Sequence, residues 1–432
     1  MRHLIKNIGL GLLAMTLFAS AKSKTLTLDE AIEVTLKHSP DVDISRFDFE
    51  KAIERSKFQK GYYLPRLDLS ASAGRQGLDF KDQDELSGST LLGNLSASQL
   101  IYDFGKTSGR ISAADNEANA LEASMHQFIS NKILLVKARY YDVLKVKSFI
   151  DVNKENIKLQ EAQLRRAKRY YESGIRTIID VSDAKVRLNR AKLELNNSEY
   201  ELKLRRAILE QTMGYVPYEG RYTLYHRKLA LPNLSHNLPK VNTSFSQLEA
   251  FAYVHRYELK SSQYLLESSK SLVESEKGGY LPTLSLRGDY TAQDVDSDFI
   301  TTTPQRQWQA GIGLTWNLFA GNQTDASVQE AKISSLKAAS QMDDLRLLIK
   351  RQVIEASLGV QRTKDAVVLS ESISKSSKKK FVQAQKRYEN DLADYIELQE
   401  AQQGYINSLA ELVNAYYDYY IAIAQLDFAV GR

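Results

Sequence analysis

The chain has no cysteine, so neither a disulfide nor a lipid-carrying N-terminal cysteine can hold it, and it must stand on packing alone. No run reaches 18 consecutive apolar residues, and the mean hydropathy is −0.38. That excludes a helical membrane protein but not a β-barrel, whose strands show themselves only by alternation. The six histidines are scattered, with no HExxH, no metal-spaced pair and no glycine-rich phosphate loop. His38 and His255 read as packing or surface residues. No enzyme, cofactor or metal is expected. With 58 basic and 53 acidic residues the formal net charge is +5, too near balance to imply a nucleic-acid partner.

The first residues carry their own signal. Arg2 and Lys6 precede the apolar run IGLGLLAMTLF (8–18), which ends at Ala19-Ser20-Ala21. A basic start, a short apolar core and an A-x-A site predict a secretory signal peptide over residues 1–21. The run is too short to span a membrane, which takes about 20 residues.

What the chain does contain is itself, twice. GYYLPRLDL (61–69) and GGYLPTLSL (278–286) coincide at a shift of 217 residues, and the shift extends well beyond them. His38 falls on His255, Tyr171-Glu172 on Tyr388-Glu389, Ala184 on Ala401 and Gly214 on Gly431. A tandem repeat follows: repeat one at 22–214, a linker at 215–244 and repeat two at 245–432. The stretch 214–244 has three of the seven prolines and no helical period, so it reads as an ordered linker.

Each copy predicts the same order: helix, strand, loop, strand, long helix, tight turn, long helix. Glycine ends the first helix, and Pro65 or Pro282 opens a strand where a missing N–H does least harm. Strands are expected at about 66–76, 90–102, 283–292 and 305–317. Leu67, Leu69, Ala71 and Ala73 alternate with Asp68, Ser70 and Ser72. Leu91, Gly93, Leu95, Ala97 and Ile101 do the same in the next strand. In copy two the apolar set is Leu284, Leu286 and Tyr290, then Trp308, Ala310, Ile312, Leu314 and Trp316. Both tryptophans of the chain, Trp308 and Trp316, lie near the ends of that last face, where membrane-interface aromatics belong. Each strand is about ten residues, enough to cross a bilayer when tilted. A half-buried sheet in a soluble domain would alternate in the same way. Four strands cannot close a barrel alone, so strands that enter a membrane require an oligomer.

The long helices are expected at about 106–172, 178–213, 323–389 and 395–430. The first has no proline and runs about 100 Å at 1.5 Å per residue. Ile129, Val136, Val143, Ile150, Ile157, Leu164 and Tyr171 recur at every seventh position, as do Val181, Leu188, Leu195, Leu202 and Leu209. Leu398, Tyr405, Leu412, Tyr419 and Leu426 pair with small residues three positions on, from Ala401 to Ala429. A strict seven-residue period imposes left-handed supercoiling, and large–small alternation lets helices interlock.

This combination resembles the TolC family of outer-membrane channel proteins over essentially the whole mature chain. The resemblance is sharpest at YESGIRTIIDVSDA (171–184), which is similar to the family's signature at the periplasmic helix turn. It implies a mainly α fold with a small β part, assembled as a homotrimer. Three chains would make a twelve-stranded outer-membrane β-barrel and a twelve-helix periplasmic tunnel. The implied function is the exit duct of a tripartite efflux pump or type I secretion system. Its implied partners are a periplasmic adaptor, an inner-membrane transporter and outer-membrane lipid. The alternative is a non-channel periplasmic coiled-coil adaptor or an envelope-spanning structural protein. An adaptor would carry one hairpin flanked by β-rich domains rather than tandem copies with paired strands.

The resemblance also implies site residues. Asp180 and Asp183, with Glu397 and Glu400 at the shifted positions, match the acidic constriction that would favour cations. Their spacing of three puts each pair on one helix face. Asp180 and Glu397 read equally as helix N-terminal caps. Tyr171 and Arg176 match the family's gate ties, with Glu397 as the expected acceptor. Copy two departs from the motif, reading YENDLADYIELQEA, so Asp391 and Asp394 are the other candidates. The exposed tips Gly174, Ile175, Asp391 and Leu392 are the expected adaptor contacts.

Overall fold

A computed structural model describes residues 24–432 except 79–85, 221, 227, 230, 232, 242, 243, 298, 299, 302–304 and 391. The expected signal peptide and Asp391 lie outside the described residues. The fold is mainly helical with a small sheet.

In chain order the elements begin with β1 (Lys24–Leu26), α1 (Leu28–His38) and α2 (Pro40–Lys60). Thr27 and Glu30 cap α1 reciprocally, and the helix stops at Ser39 because Pro40 disfavours helix at the residue before it. Then come β2 (Arg66–Leu78), β3 (Leu86–Tyr102), α3 (Lys106–Glu172) and α4 (Ile178–Thr212). After β4 (Tyr222–Leu224) the order returns: α5 (Phe245–His255), α6 (Tyr257–Lys277), β5 (Thr283–Ser297), the short β6 (Ile300–Thr301), β7 (Gln305–Thr315), α7 (Gln323–Glu389) and α8 (Tyr395–Val430). Gly61–Tyr63 and Gly278–Tyr280 are matching 3-10 turns at the helix-to-strand junctions. Strands β2, β3 and β5 run further toward the loops than alternation suggested, because backbone pairing continues through Leu78, Leu86 and Ser297.

The chain forms two compact units. One contains the described residues through Asp43, Phe128–His255 and Ile349–Arg432; the other contains Ile44–Gln127 and Arg256–Leu348.

The second unit holds the sheet. Its long strands run antiparallel in the order β2-β3-β5-β7, so copies one and two of the repeat meet at β3–β5 and both edges are open. Register decides the faces. Leu69, Leu95, Tyr290 and Trp308 share one row, and Ser70, Asn94, Thr291 and Gln307 share the next-residue row on the other face. The apolar face is uncovered within the chain: Leu69 is 79% exposed and Trp308 76%. In the same unit α6 lies against the start of α3. Ser261, Ser268 and Ser275 donate their hydroxyls to the carbonyls of Ala120, Ala113 and Lys106 at 2.9, 2.9 and 2.7 Å. Gly109 makes that approach possible, since a Cβ there would sit 2.7 Å from the Ser275 amide nitrogen.

The first unit is built on the seven-residue series. Val136, Val143, Leu209, Leu398, Leu412, Tyr419 and Leu426 are buried, as are the small Ala184, Ala191, Ala401 and Ala422. Tyr171, the last of its series, is exposed. The linker is fastened here by two buried carboxylates. Glu371 Oε2 accepts from the amides of Leu234 and Ser235 at 3.0 and 2.7 Å, and Glu210 Oε2 from that of Tyr218 at 2.6 Å. β1 pairs in parallel with β4 of the linker, a contact not foreseen in the sequence.

Candidate functional site: the helix turns

Two hairpin turns end the long helices of the first unit. At the first, Gly174 sits at φ +70° and the amides of Ser173 and Ile175 donate to the carbonyls of Arg169 and Tyr170. Only glycine enters that left-handed region without cost, which ends α3 sharply. The second turn has no glycine. Instead the Arg387 guanidinium donates to Leu392 O at 3.1 Å, and Asn390 caps the Lys386 carbonyl with its side chain.

Asp180 serves as a cap: its carboxylate accepts from the Thr177 amide at 3.3 Å. At α8 the capping oxygen belongs to Asp394, which accepts from the Glu397 amide at 2.7 Å. Glu397 itself lies 3.5 Å from Arg387. Within one chain, then, Glu397 stands beside Arg387 of its own hairpin. The Arg176 guanidinium lies 5.7 Å from the centre of the Tyr388 ring, within cation–π range. Asp183 and Glu400 are exposed and have no ion-pair partner among the described residues. The tip residues Ile175 and Leu392 are exposed as well.

The two hairpins are joined by contacts that the sequence did not announce. Arg166 donates to Glu389 at 2.7 Å. The rings of Tyr170, Tyr388 and Tyr395 follow one another at 6.2 and 6.0 Å. Burial raises the Tyr388 phenol above its ordinary value; Arg176 opposes the shift and Asp180 adds to it. Burial raises Tyr395 likewise. Both phenols stay neutral at physiological pH, so they act by packing. The one available hint was that Tyr388-Glu389 repeats Tyr171-Glu172.

Helix α8 has one further feature. From Tyr395 to Val430 it contains no Lys or Arg. Its exposed positions are Ile396, Glu400, Gln403, Gly404, Asn407, Glu411, Asn414, Asp418 and Gln425, which carry acids and amides along one face. Asp418 is paired with Lys145 at 3.3 Å, while Glu411 has no ion-pair partner among the described residues. Among those residues no helix is long and apolar enough to cross a membrane, which says nothing of a β-barrel, and no His/Asp/Glu group is arranged to hold a metal.

A sequence profile of the outer membrane efflux protein family matches residues 31–215 and 252–432, most of the chain in two segments. The outer membrane protein TolC of Vibrio cholerae is 20% identical over 435 residues, covering 96% of this chain and 95% of its own length. The outer-membrane channel CmeC of Campylobacter jejuni superposes with a TM-score of 0.80 at 18% identity, covering 94% of this chain and 85% of that one. The outer membrane protein VceC of Vibrio cholerae does so with a TM-score of 0.78 at 17% identity, covering 94% and 96%.

Proposed function

Since the chain belongs to the outer membrane efflux protein family, we propose that three copies form an outer-membrane channel serving as the exit duct of an efflux pump. The observation that carries this reading is the four-stranded sheet with two open edges and one uncovered apolar face. In water such a sheet is a liability. In a bilayer, three of them closed edge to edge make twelve strands with no free edge.

The register supports that closure. Moving the β3–β5 pairing by the repeat shift sets β7 against β2 of a neighbouring copy. Leu95↔Tyr290 and Gln99↔Leu286 then become Ile312↔Ala73 and Trp316↔Leu69. Both pairs keep apolar residues on the apolar face. A slip of one residue would reverse the faces. Trp308 and Trp316 then mark the two edges of the lipid-facing band.

In the first unit, the acid-and-amide stripe of α8 lines the bore, and Asp183 and Glu400 narrow it near the turns. Twelve carboxylates follow from Asp180, Asp183, Glu397 and Glu400 in three chains. The Arg166–Glu389 and Arg176–Tyr388 contacts hold the hairpins of one chain together, and Tyr171 faces the neighbouring copy. Gly174, Ile175, Leu392 and Asp391 receive a periplasmic adaptor that leads to an inner-membrane transporter. Most of the chain lies in the periplasm, and the signal peptide is removed on export.

The test is single-channel recording of detergent-purified protein in a planar bilayer, with and without a multivalent cation. A cation-selective conductance that the cation blocks, and that Asp183→Asn/Glu400→Gln frees from block, supports the reading. Folded protein that forms no channels ends it.

A further inference from the structure

The polar face of the sheet is almost free of charge. On it stand serine, threonine, asparagine, glutamine and glycine, with Leu92 and Leu100 among them. Among the described residues, charge appears on this face in two adjacent rows only. Register sets Arg66 opposite Ser98 and Ser98 opposite Arg287; one row on, Asp68 stands opposite Ser96 and Ser96 opposite Asp289. The two Arg-x-Asp segments are not related by the shift of 217, so the repeat does not explain the coincidence. It arises in the folded sheet. Charges needed merely for solubility would be scattered over the face, and these are gathered at the strand ends that follow Pro65 and Pro282.

Arg66 and Asp68 are paired at 2.7 Å. Arg287 and Asp289 are exposed and have no ion-pair partner among the described residues. Their Cα atoms lie about 7 Å apart along the strand. Each chain therefore presents one engaged and one unengaged pair of opposite charges on a hydroxyl-rich wall.

This inference rests on the channel reading, in which the polar face lines the barrel. Twelve strands about 4.8 Å apart and tilted by about 40° give a radius of about 12 Å. Charges on such a wall reach well into the lumen against a screening length of about 8 Å. We infer that Arg66, Asp68, Arg287 and Asp289 of three chains form a mixed-sign collar inside the barrel that binds amphoteric solutes. A solute carrying an ammonium and a carboxylate a few ångströms apart sets the carboxylate on Arg287 and the ammonium on Asp289. The collar has no net charge, so it retains such solutes without favouring either simple ion.

The experiment compares the wild-type trimer with Arg66→Gln/Arg287→Gln, Asp68→Asn/Asp289→Asn and the fourfold variant. Potassium-over-chloride permeability is read from reversal potentials, and the zwitterionic β-lactam ampicillin serves as probe. Permeability ratios should rise at least about twofold in the first variant and fall at least about twofold in the second, as for rings of side-chain charge. Transient block by ampicillin should be lost in the fourfold variant, whose ratio returns toward wild type. Channels whose permeability ratios are the same in all four proteins, or whose ampicillin block survives the fourfold change, overturn the collar and leave the channel standing. No conductance from folded wild-type trimer overturns both. Each variant is first shown to be trimeric by mass.

Discussion

The Ser268 hydroxyl donates to the Ala113 carbonyl at 2.9 Å, and the same contact recurs one heptad to either side. This ladder joins α6 to α3 inside the chain. The repeat shift predicts a counterpart between α2 and α7, where Ile44, Lys51 and Phe58 replace the serines and Lys337, Glu330 and Gln323 replace Ala120, Ala113 and Lys106. Ile44 and Phe58 are 59% and 66% exposed in the single chain, so this second seam is expected between copies, with Lys51 facing Glu330 of a neighbour. The chain's lack of cysteine makes the test clean. Lys51→Cys/Glu330→Cys should cross-link trimers on oxidation, while Lys51→Cys/Asp343→Cys should not. Lys51→Glu should loosen the trimer, and Lys51→Glu/Glu330→Lys should restore it. Cross-links absent from an intact trimer would reject this pairing.

Gly109 and Gly404 should respond in opposite directions to alanine. A Cβ at Gly109 meets backbone of α6 at 2.7 Å, and one at Gly404 meets nothing within 4 Å. Gly109→Ala should destabilise by about 2 kcal/mol through overpacking. Gly404→Ala should stabilise α8 by about 1 kcal/mol through helix propensity. Thermal denaturation of the trimer in detergent measures both.

Glu371 should make the linker's attachment acid-sensitive. Burial alone would raise its pKa, but Lys375 and the Ser235 amide more than offset that, and the net shift is downward. A carboxyl whose folded pKa lies below its unfolded value adds stability above the unfolded pKa and loses it as pH falls through the folded one. Below about pH 4.5, the ordinary glutamate range, the linker should become protease-sensitive, and Glu371→Gln should flatten that dependence. Glu371→Ala should cost about 3 kcal/mol at neutral pH, since three donors lose their acceptor. A flat pH profile for the wild type would contradict this.

Arg166→Gln or Glu389→Gln should free the two hairpins from each other near the turns. The expected result is a larger single-channel conductance, by about twofold or more, with trimer stability nearly unchanged, because partly exposed pairs are worth only about 1 kcal/mol. Unchanged conductance would place the restraint elsewhere.

Much of the fold was legible because its signals are local or strictly periodic. Glycine and proline in GYYLP and GGYLP end a helix and begin a strand wherever they stand. The seven-residue series names Val136, Val143, Leu398 and Leu412 as core before any coordinate is known. Register was hidden, because pairing Arg66 with Ser98 and Ser98 with Arg287 depends on strands far apart in sequence. At the turns, Asp180 could be read as a cap from Thr177-x-x-Asp180. Glu397 could not be assigned in the same way, since Asp394 takes the cap and Arg387, ten residues before it, takes the carboxylate. Glu389 carries only its repetition of Glu172, and Arg166 carries no periodic or motif signal. Nor does the pairing of β1 with β4, two three-residue strands nearly 200 positions apart.

The uncovered face of the sheet also bears on how the protein is made. A single newly exported chain presents Leu69, Trp308 and Ile312 to water together with two unpaired strand edges, a combination that favours clumping. In the proposed trimer the hazard lasts only until two more chains and a bilayer arrive, so the yield of working protein is a race between assembly and aggregation. Supply of chains in excess of membrane sites should therefore lower the yield instead of raising it.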